Sequence, residues 1–186
     1  MNYYKKFFPG IYIFSFAAIG ALFPLIAQYL YAIGFSGTQI GIVTSSSTAI
    51  GIVSNSFWGG VYHKKKRSKK LIVFLSVATA LLSLFLMVVG QFWIFLALYV
   101  LVFFFENPIY PLVDSTVIEV NYPFGAARKW GAVGFAVGIG IAGFVADRFG
   151  LLSIFPMFAG FFILTAVLVW LYSNVQSRLG QEQASF

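Results

Sequence analysis

The chain contains no cysteine, a single histidine and only five acidic residues among its 186 positions. The lack of cysteine excludes disulfides, thiolate metal sites and cysteine nucleophiles. No serine–histidine–aspartate, metal-ligand or phosphate-loop arrangement can be assembled from the few polar residues that remain. We therefore expect neither an enzyme nor a bound metal or cofactor.

Charge of either sign is also scarce. Only 9% of the residues are charged and 60% are hydrophobic, whereas soluble proteins average about 25% charged residues. A net charge of +7 in a soluble protein could indicate nucleic-acid binding. In so apolar a chain it is better read as the topology signal of a membrane protein, so we expect the lipid bilayer as a partner and no nucleic acid.

Long apolar runs fill most of the chain, and each approaches or exceeds the roughly 20 residues that cross a bilayer as a helix. They lack the alternation of barrel strands. The sequence predicts an all-α membrane protein, a six-transmembrane-helix bundle over residues 1–174 with a polar cytoplasmic tail at 175–186. The predicted helices are Phe8–Ile33, Gln39–Tyr62, Leu71–Val89, Phe92–Val117, Trp130–Ala146 and Leu151–Tyr172.

The basic residues predict the orientation. Eleven of the twelve Lys and Arg residues lie on the side of the amino terminus, and only Arg148 lies opposite. The positive-inside rule then predicts a multi-pass protein of the cell (inner) membrane with both termini cytoplasmic. The run His63–Lys70 has the composition of a site for anionic lipid or nucleic acid, but we interpret it as a topology anchor between the second and third helices.

The string Gly34-Phe35-Ser36-Gly37 matches the G-x-S-G pattern of intramembrane serine proteases. Such chemistry needs a histidine within hydrogen-bond reach of the serine. His63 is expected at the opposite membrane face, so we interpret the string as a turn.

The fourth predicted helix carries two acidic residues at membrane depth. Glu106, Tyr110 and Asp114 are spaced at i, i+4 and i+8 and share one face. A carboxylate in hydrocarbon costs several kcal/mol, so each must pair, be protonated or face a wet cavity. Arg128, after a short loop, is the expected partner of Asp114; the alternatives are that Arg128 is only a topology signal and that Glu106 is a structural carboxyl.

Together these features resemble the amino-terminal half of a major facilitator superfamily transporter, in the branch of lactose, phenylpropionate and nucleoside permeases. The resemblance covers six helices, to about Tyr172, and implies a half built as a 3+3 inverted repeat. Its motifs are Phe23-Pro24, the segment GFSGTQIG from Gly34 to Gly41, Trp58-Gly59-Gly60, Pro111-Leu112-Val113-Asp114 and the segment Arg128–Phe135.

The resemblance also implies a solute site. In lactose permease the corresponding carboxylate and arginine hold the sugar and an aromatic ring stacks on it; Asp114, Arg128 and Phe135 occupy those positions. Phe135 stands where Trp is expected and Asp114 is shorter than Glu, so galactoside specificity does not carry over. Glu106, Asn107 and Tyr110 complete the predicted substrate-binding set.

The expected function is a secondary transporter, or half of one, that moves a small polar organic solute, sugar-like first, by alternating access; proton coupling is left open. Since a complete transporter of this superfamily has about twelve helices, the expected partner is a second copy in a homodimer or a complementary six-helix half. The alternatives are a substrate-binding membrane subunit of an ATP-driven vitamin-uptake complex and an incomplete half that needs a complementary chain.

Overall fold

The computed structural model describes residues 3–65 and 68–184. Lys66 and Arg67 of the basic run, and the last two residues of the predicted tail, lie outside the described residues. The described chain is helical, with short 3-10 turns at Tyr3–Lys6, Leu86–Val88 and Leu151–Ser153. Its α-helices are α1 (Phe7–Leu22), α2 (Ile26–Ala32), α3 (Gly37–Lys64), α4 (Lys69–Phe85), α5 (Phe92–Glu106), α6 (Ile109–Glu119), α7 (Phe124–Phe149) and α8 (Ile154–Ala184).

Two of the six predicted helices are interrupted, which corrects the sequence prediction. The first breaks at residues 23–25 into α1 and α2, and the fourth breaks at residues 107–108 into α5 and α6. Pro24 and Pro108 explain both breaks, because proline lacks the N–H that continues a helix and clashes with the preceding turn. The breaks fall at corresponding places, after 16 residues in the first span and 15 in the fourth.

The other predicted helices are found with shifted ends. α3 begins two residues early because Ser36 caps it: its side chain accepts from the Gln39 amide while the Gln39 side chain accepts from the Ser36 amide. α7 begins at Phe124, directly after Pro123, so Arg128 lies in its second turn. α8 continues to Ala184, over the described part of the segment assigned to the tail.

Membrane-spanning character is clear for most of the bundle. Five helical stretches of the described chain are long and apolar enough to cross a membrane, counting α1–α2 and α5–α6 as continuous spans. The 28-residue α3 is as long as these but carries two polar stretches, Thr44–Thr48 and Ser54–Ser56. Its polar residues can contact water inside the bundle.

The helix contacts follow an internal repeat. The first span packs against α7 and α8, while the fourth packs against α3 and α4, and α4 also packs against α8. If span one is exchanged with span four, span two with span five and span three with span six, the same pairs of spans are in contact. That is the contact pattern expected of a 3+3 inverted repeat.

Glycine allows α1 and α7 to touch through their backbones. A Cβ placed at Gly134 or Gly138 would overlap the backbone of Ile13 or Ala17, and one at Gly20 would overlap the carbonyl of Phe135. Small residues at helix interfaces in lipid permit this close approach. The contact fixes α1 beside the turn of α7 that carries Arg128.

Aromatic contacts fasten the end of the bundle where the chain begins. The ring of Phe8 lies 5.3 Å from that of Tyr122 and 5.1 Å from that of Tyr172. Lys69 and Glu119 form an ion pair of 3.0 Å that joins the start of α4 to the end of α6. The starts of α1 and α4, the end of α6 and the part of α8 around Tyr172 therefore share one face, called here the amino-terminal face.

Candidate functional site

The two helix breaks open onto one cavity of about 380 Å³. We call it the break cavity. It is bounded by the first span, by α3 and by the fourth span at its interruption, and its polar lining residues are Ser47, Thr48, Asn55, Glu106, Asn107 and Tyr110. Three of the predicted site residues, Glu106, Asn107 and Tyr110, are thus brought together.

Glu106 is the deepest acid of the site. Its side chain is only 2% exposed and accepts a hydrogen bond of 2.5 Å from the Tyr110 hydroxyl. It faces the break cavity inside the bundle rather than lipid, which is one of the three arrangements expected of an acid at membrane depth. None of the break cavity's lining residues is basic, so Glu106 differs from Asp114 in having no cationic side chain beside it there.

Asn107 links the interruption of the fourth span to α3. Its amide nitrogen donates to the carbonyl of Ser47 at 3.0 Å and to that of Phe103, in its own helix, at 2.9 Å. Gly51 makes room for it, since a Cβ there would lie 3.0 Å from the Asn107 amide oxygen. The fourth span is therefore tied to α3 at the residue where its helix stops.

Trp58 repairs the backbone at the same break. Pro108 has no N–H to offer the carbonyl of Phe104, four residues earlier. The indole N–H of Trp58 donates to that carbonyl at 3.1 Å. A backbone acceptor freed within the membrane needs such a substitute donor, because lipid supplies none.

Asp114 and Arg128 form the predicted ion pair, with an Nη1–Oδ2 distance of 2.8 Å. The second carboxylate oxygen accepts a hydrogen bond of 2.5 Å from the hydroxyl of Tyr12 in α1. We call Tyr12, Asp114 and Arg128 the ion-pair cluster. The side chain of Asp114 is 20% exposed and that of Arg128 is 54% exposed, so the guanidinium still has free N–H groups to donate to a ligand.

Stacked rings connect the ion-pair cluster to the break cavity. The ring of Tyr12 stacks on Phe16 at 6.0 Å, and Phe16 meets Tyr110 edge to face at 5.2 Å. Asp114 lies eight residues beyond Glu106, about 12 Å along a helix. Five polar and aromatic groups of α1, α5 and α6 thus form one continuous row: Tyr12, Phe16, Tyr110, Glu106 and Asp114.

Phe135 lies apart from the break cavity. It follows Arg128 by seven residues, which places it about 10 Å further along the same face of α7. It is 37% exposed. The structure brings Phe135 into line with the ion-pair cluster without direct contact to Glu106.

Sequence reasoning missed Tyr12 and Trp58 as partners of the site. Tyr12 carries no local signal, since its partner is 102 positions away. Trp58 could have been found from Pro108, because a proline within a membrane helix predicts a substitute donor.

The turn interpretation of Gly34–Gly37 is supported by the positive φ of 91° at Gly34 and by the capping role of Ser36. His63 lies at the far end of α3, about 40 Å from Ser36.

Comparison with known proteins identifies relatives of this chain. Residues 7–184 match the model of the MFS_1 like family. The chain is 31% identical over 160 residues to the maltose permease of Geobacillus stearothermophilus, a match that covers 83% of this chain and 41% of that protein. It is 26% identical over 165 residues to the uncharacterized transporter YwbF of Bacillus subtilis (strain 168), covering 86% and 41% of the two chains.

A further relative is the multidrug resistance protein MdtG of Serratia proteamaculans (strain 568), at 28% identity over 171 residues, 86% of this chain and 41% of the relative. The chain thus spans less than half the length of the curated relatives it matches. No solved structure matches it.

Proposed function

This chain belongs to the MFS_1 like family of the major facilitator superfamily, and on that premise we propose that it forms one six-helix half of a secondary transporter for a small polar organic solute, sugar-like first. An enzymatic role does not fit this family. The observation that carries the proposal is the ion-pair cluster. It offers a carboxylate and a half-exposed guanidinium side by side, and a row of aromatic rings runs from it to the break cavity.

The chemistry of the ion-pair cluster suits a hydroxylated solute. A carboxylate accepts hydroxyl protons, and a guanidinium donates in a planar fork. Because Asp114 and Arg128 compensate each other's charge, a neutral solute can replace part of their mutual contact without leaving an ion unpaired. The Phe135 ring supplies an apolar surface for the carbon face of a sugar.

The interrupted spans support alternating access. Interrupted helices at corresponding positions of repeated units point to the substrate site of a transporter. Here both interruptions border the break cavity, and their short non-helical segments are suited to absorb the backbone rotation of a hinge. Opening and closing would then occur around Glu106, Asn107 and Tyr110.

The proposed partner is a second six-helix body, either a complementary half or another copy of this chain. Arg128 and Phe135 lie on a face of α7 that the described helices leave open. A two-fold homodimer and a complementary half both place a second wall opposite this face. The name of the maltose permease relative supports a sugar as the first solute to test.

The experiment is a ligand screen by thermal unfolding of the purified protein in detergent. A panel of neutral mono- and disaccharides is compared with an organic cation and a small carboxylate. Binding at 100 times the dissociation constant stabilises the folded state by about 2.7 kcal/mol, a shift of a few degrees. We expect a sugar to raise the midpoint and Asp114→Asn to abolish the shift; stabilisation by the cation alone, or a sugar shift that survives Asp114→Asn, would refute the proposed site.

A further inference from the structure

A groove at the amino-terminal face, between the end of α3 and the start of α4, is not used by the proposed transport site. Its volume is about 480 Å³. It is lined by Trp58, Lys65, Ser68, Lys70, Leu71 and Phe74. Two lysines stand at one end and two aromatic rings at the other.

In the described part of the chain, the two lysines of this groove differ from the other lysine at the start of α4. Lys69 pairs with Glu119 at 3.0 Å. Lys69 is therefore engaged, whereas neither Lys65 nor Lys70 has a carboxylate within ion-pair distance in the described chain. Ser68 precedes α4 and its side chain makes no capping hydrogen bond, so its hydroxyl can donate to a ligand in the groove.

The aromatic end of the groove is apolar and rigid. Trp58 has its N–H bound to the Phe104 carbonyl, and its ring lies 6.2 Å from that of Phe74. Phe74 is 54% exposed. An apolar wall directly below a pair of lysines fits a molecule with a negative head and an apolar body.

We infer that this groove binds an anionic phospholipid, whose phosphate contacts Lys65, Lys70 and Ser68 and whose acyl chain lies along Trp58 and Phe74. Basic pockets between transmembrane helices recognise anionic headgroups in this way. A free phosphate would use the lysines but gain nothing from the aromatic wall. The α3–α4 connection is thus a lipid-binding site as well as a topology signal.

The test uses the intact protein with Trp58 as its only tryptophan, after Trp93→Phe, Trp130→Phe and Trp170→Phe. The protein is reconstituted into phosphatidylcholine vesicles, and quenching of Trp58 is measured with phosphatidylglycerol or phosphatidylcholine that carries bromine on the acyl chain. We expect brominated phosphatidylglycerol to quench at a several-fold lower mole fraction. Lys65→Gln with Lys70→Gln should abolish most of that preference, because the attraction of two lysines for an anionic headgroup is lost.

The matched control is Lys5→Gln with Lys129→Gln. It removes the same amount of charge from the predicted cytoplasmic side of the protein but leaves the groove intact. It should keep the preference. Equal quenching by both lipids, equal loss in the control pair, or displacement by millimolar glycerol phosphate would each overturn the inference. If the groove variant fails to fold, the parent protein is tested by competition. Unbrominated phosphatidylglycerol is added to vesicles of brominated phosphatidylcholine, and quenching of Trp58 is measured. Relief of quenching supports the site, and no relief refutes it.

Discussion

Tyr12 and Asp114 are 102 positions apart in the chain and are joined by a hydrogen bond from the Tyr12 hydroxyl to Asp114 Oδ1. Arg128 occupies the other carboxylate oxygen. Three helices, α1, α6 and α7, therefore converge on one carboxyl group. This convergence depends on the glycine contact between α1 and α7, which sets how near Tyr12 can come to Arg128.

Tyr12→Phe should weaken solute binding while leaving the fold intact. The change removes one hydrogen bond to a carboxylate that keeps its arginine partner, so the cost in stability should be about 1.5–3 kcal/mol. Affinity should fall as well, because Asp114 Oδ1 loses the hydroxyl that orients it. Calorimetric titration with the sugar found in the screen measures the effect, and Tyr31→Phe, at an exposed tyrosine, is the control.

Gly138→Ala should destabilise the bundle, whereas Gly140→Ala on the same helix should not. A Cβ at Gly138 meets the backbone of Ala17, while one at Gly140 meets nothing within 4 Å. Overpacking of this kind costs about 1–3 kcal/mol, so the unfolding midpoint of Gly138→Ala should drop by several degrees. Equal midpoints for the two variants would contradict the backbone contact between α1 and α7.

Much of this architecture could be predicted from the sequence. Apolar run lengths gave six spans, and the cost of acids in hydrocarbon placed Glu106 inside the bundle. The breaks at residues 23–25 and 107–108 were missed because hydropathy does not register a lost helical hydrogen bond. Tyr12 and Trp58 were missed as partners because their contacts arise only from packing between distant helices; the pairing of Asp114 with Arg128, across a short loop, was within reach.

Trp58→Phe should destabilise the protein more than its change in size explains. The ring contacts are largely kept by phenylalanine, but the Phe104 carbonyl, freed by Pro108, loses the indole N–H of Trp58 as its donor. An unsatisfied buried acceptor costs about 1–3 kcal/mol. Trp93→Phe, at an exposed tryptophan, is the matched control. Chemical or thermal unfolding in detergent measures the stability of both variants. A Trp58→Phe variant as stable as Trp93→Phe would refute the role of Trp58 as donor to the Phe104 carbonyl.

Cysteine at Ser36 should react with an impermeant thiol reagent applied from outside the cell, and cysteine at Ser68 should not. Ser36 precedes α3 and Ser68 precedes α4, so the two positions lie at opposite ends of one span. The native chain has no cysteine, which removes background labelling. Permeabilised cells should label both positions, and the reverse pattern in intact cells would overturn the predicted cytoplasmic termini.

The double replacement of Asp114→Asn and Arg128→Gln distinguishes a solute site from a structural ion pair. Either single change leaves one charge without its partner in a partly buried position, which should lower stability. Removing both charges should restore the unfolding midpoint toward that of the parent, since no unpaired ion remains. If the ion-pair cluster binds the solute, the double variant should be stable yet show at least a tenfold loss of affinity, about 1.4 kcal/mol. A double variant that regains both stability and binding would show that the pair serves only the fold, because the groups proposed to contact the solute would then be dispensable.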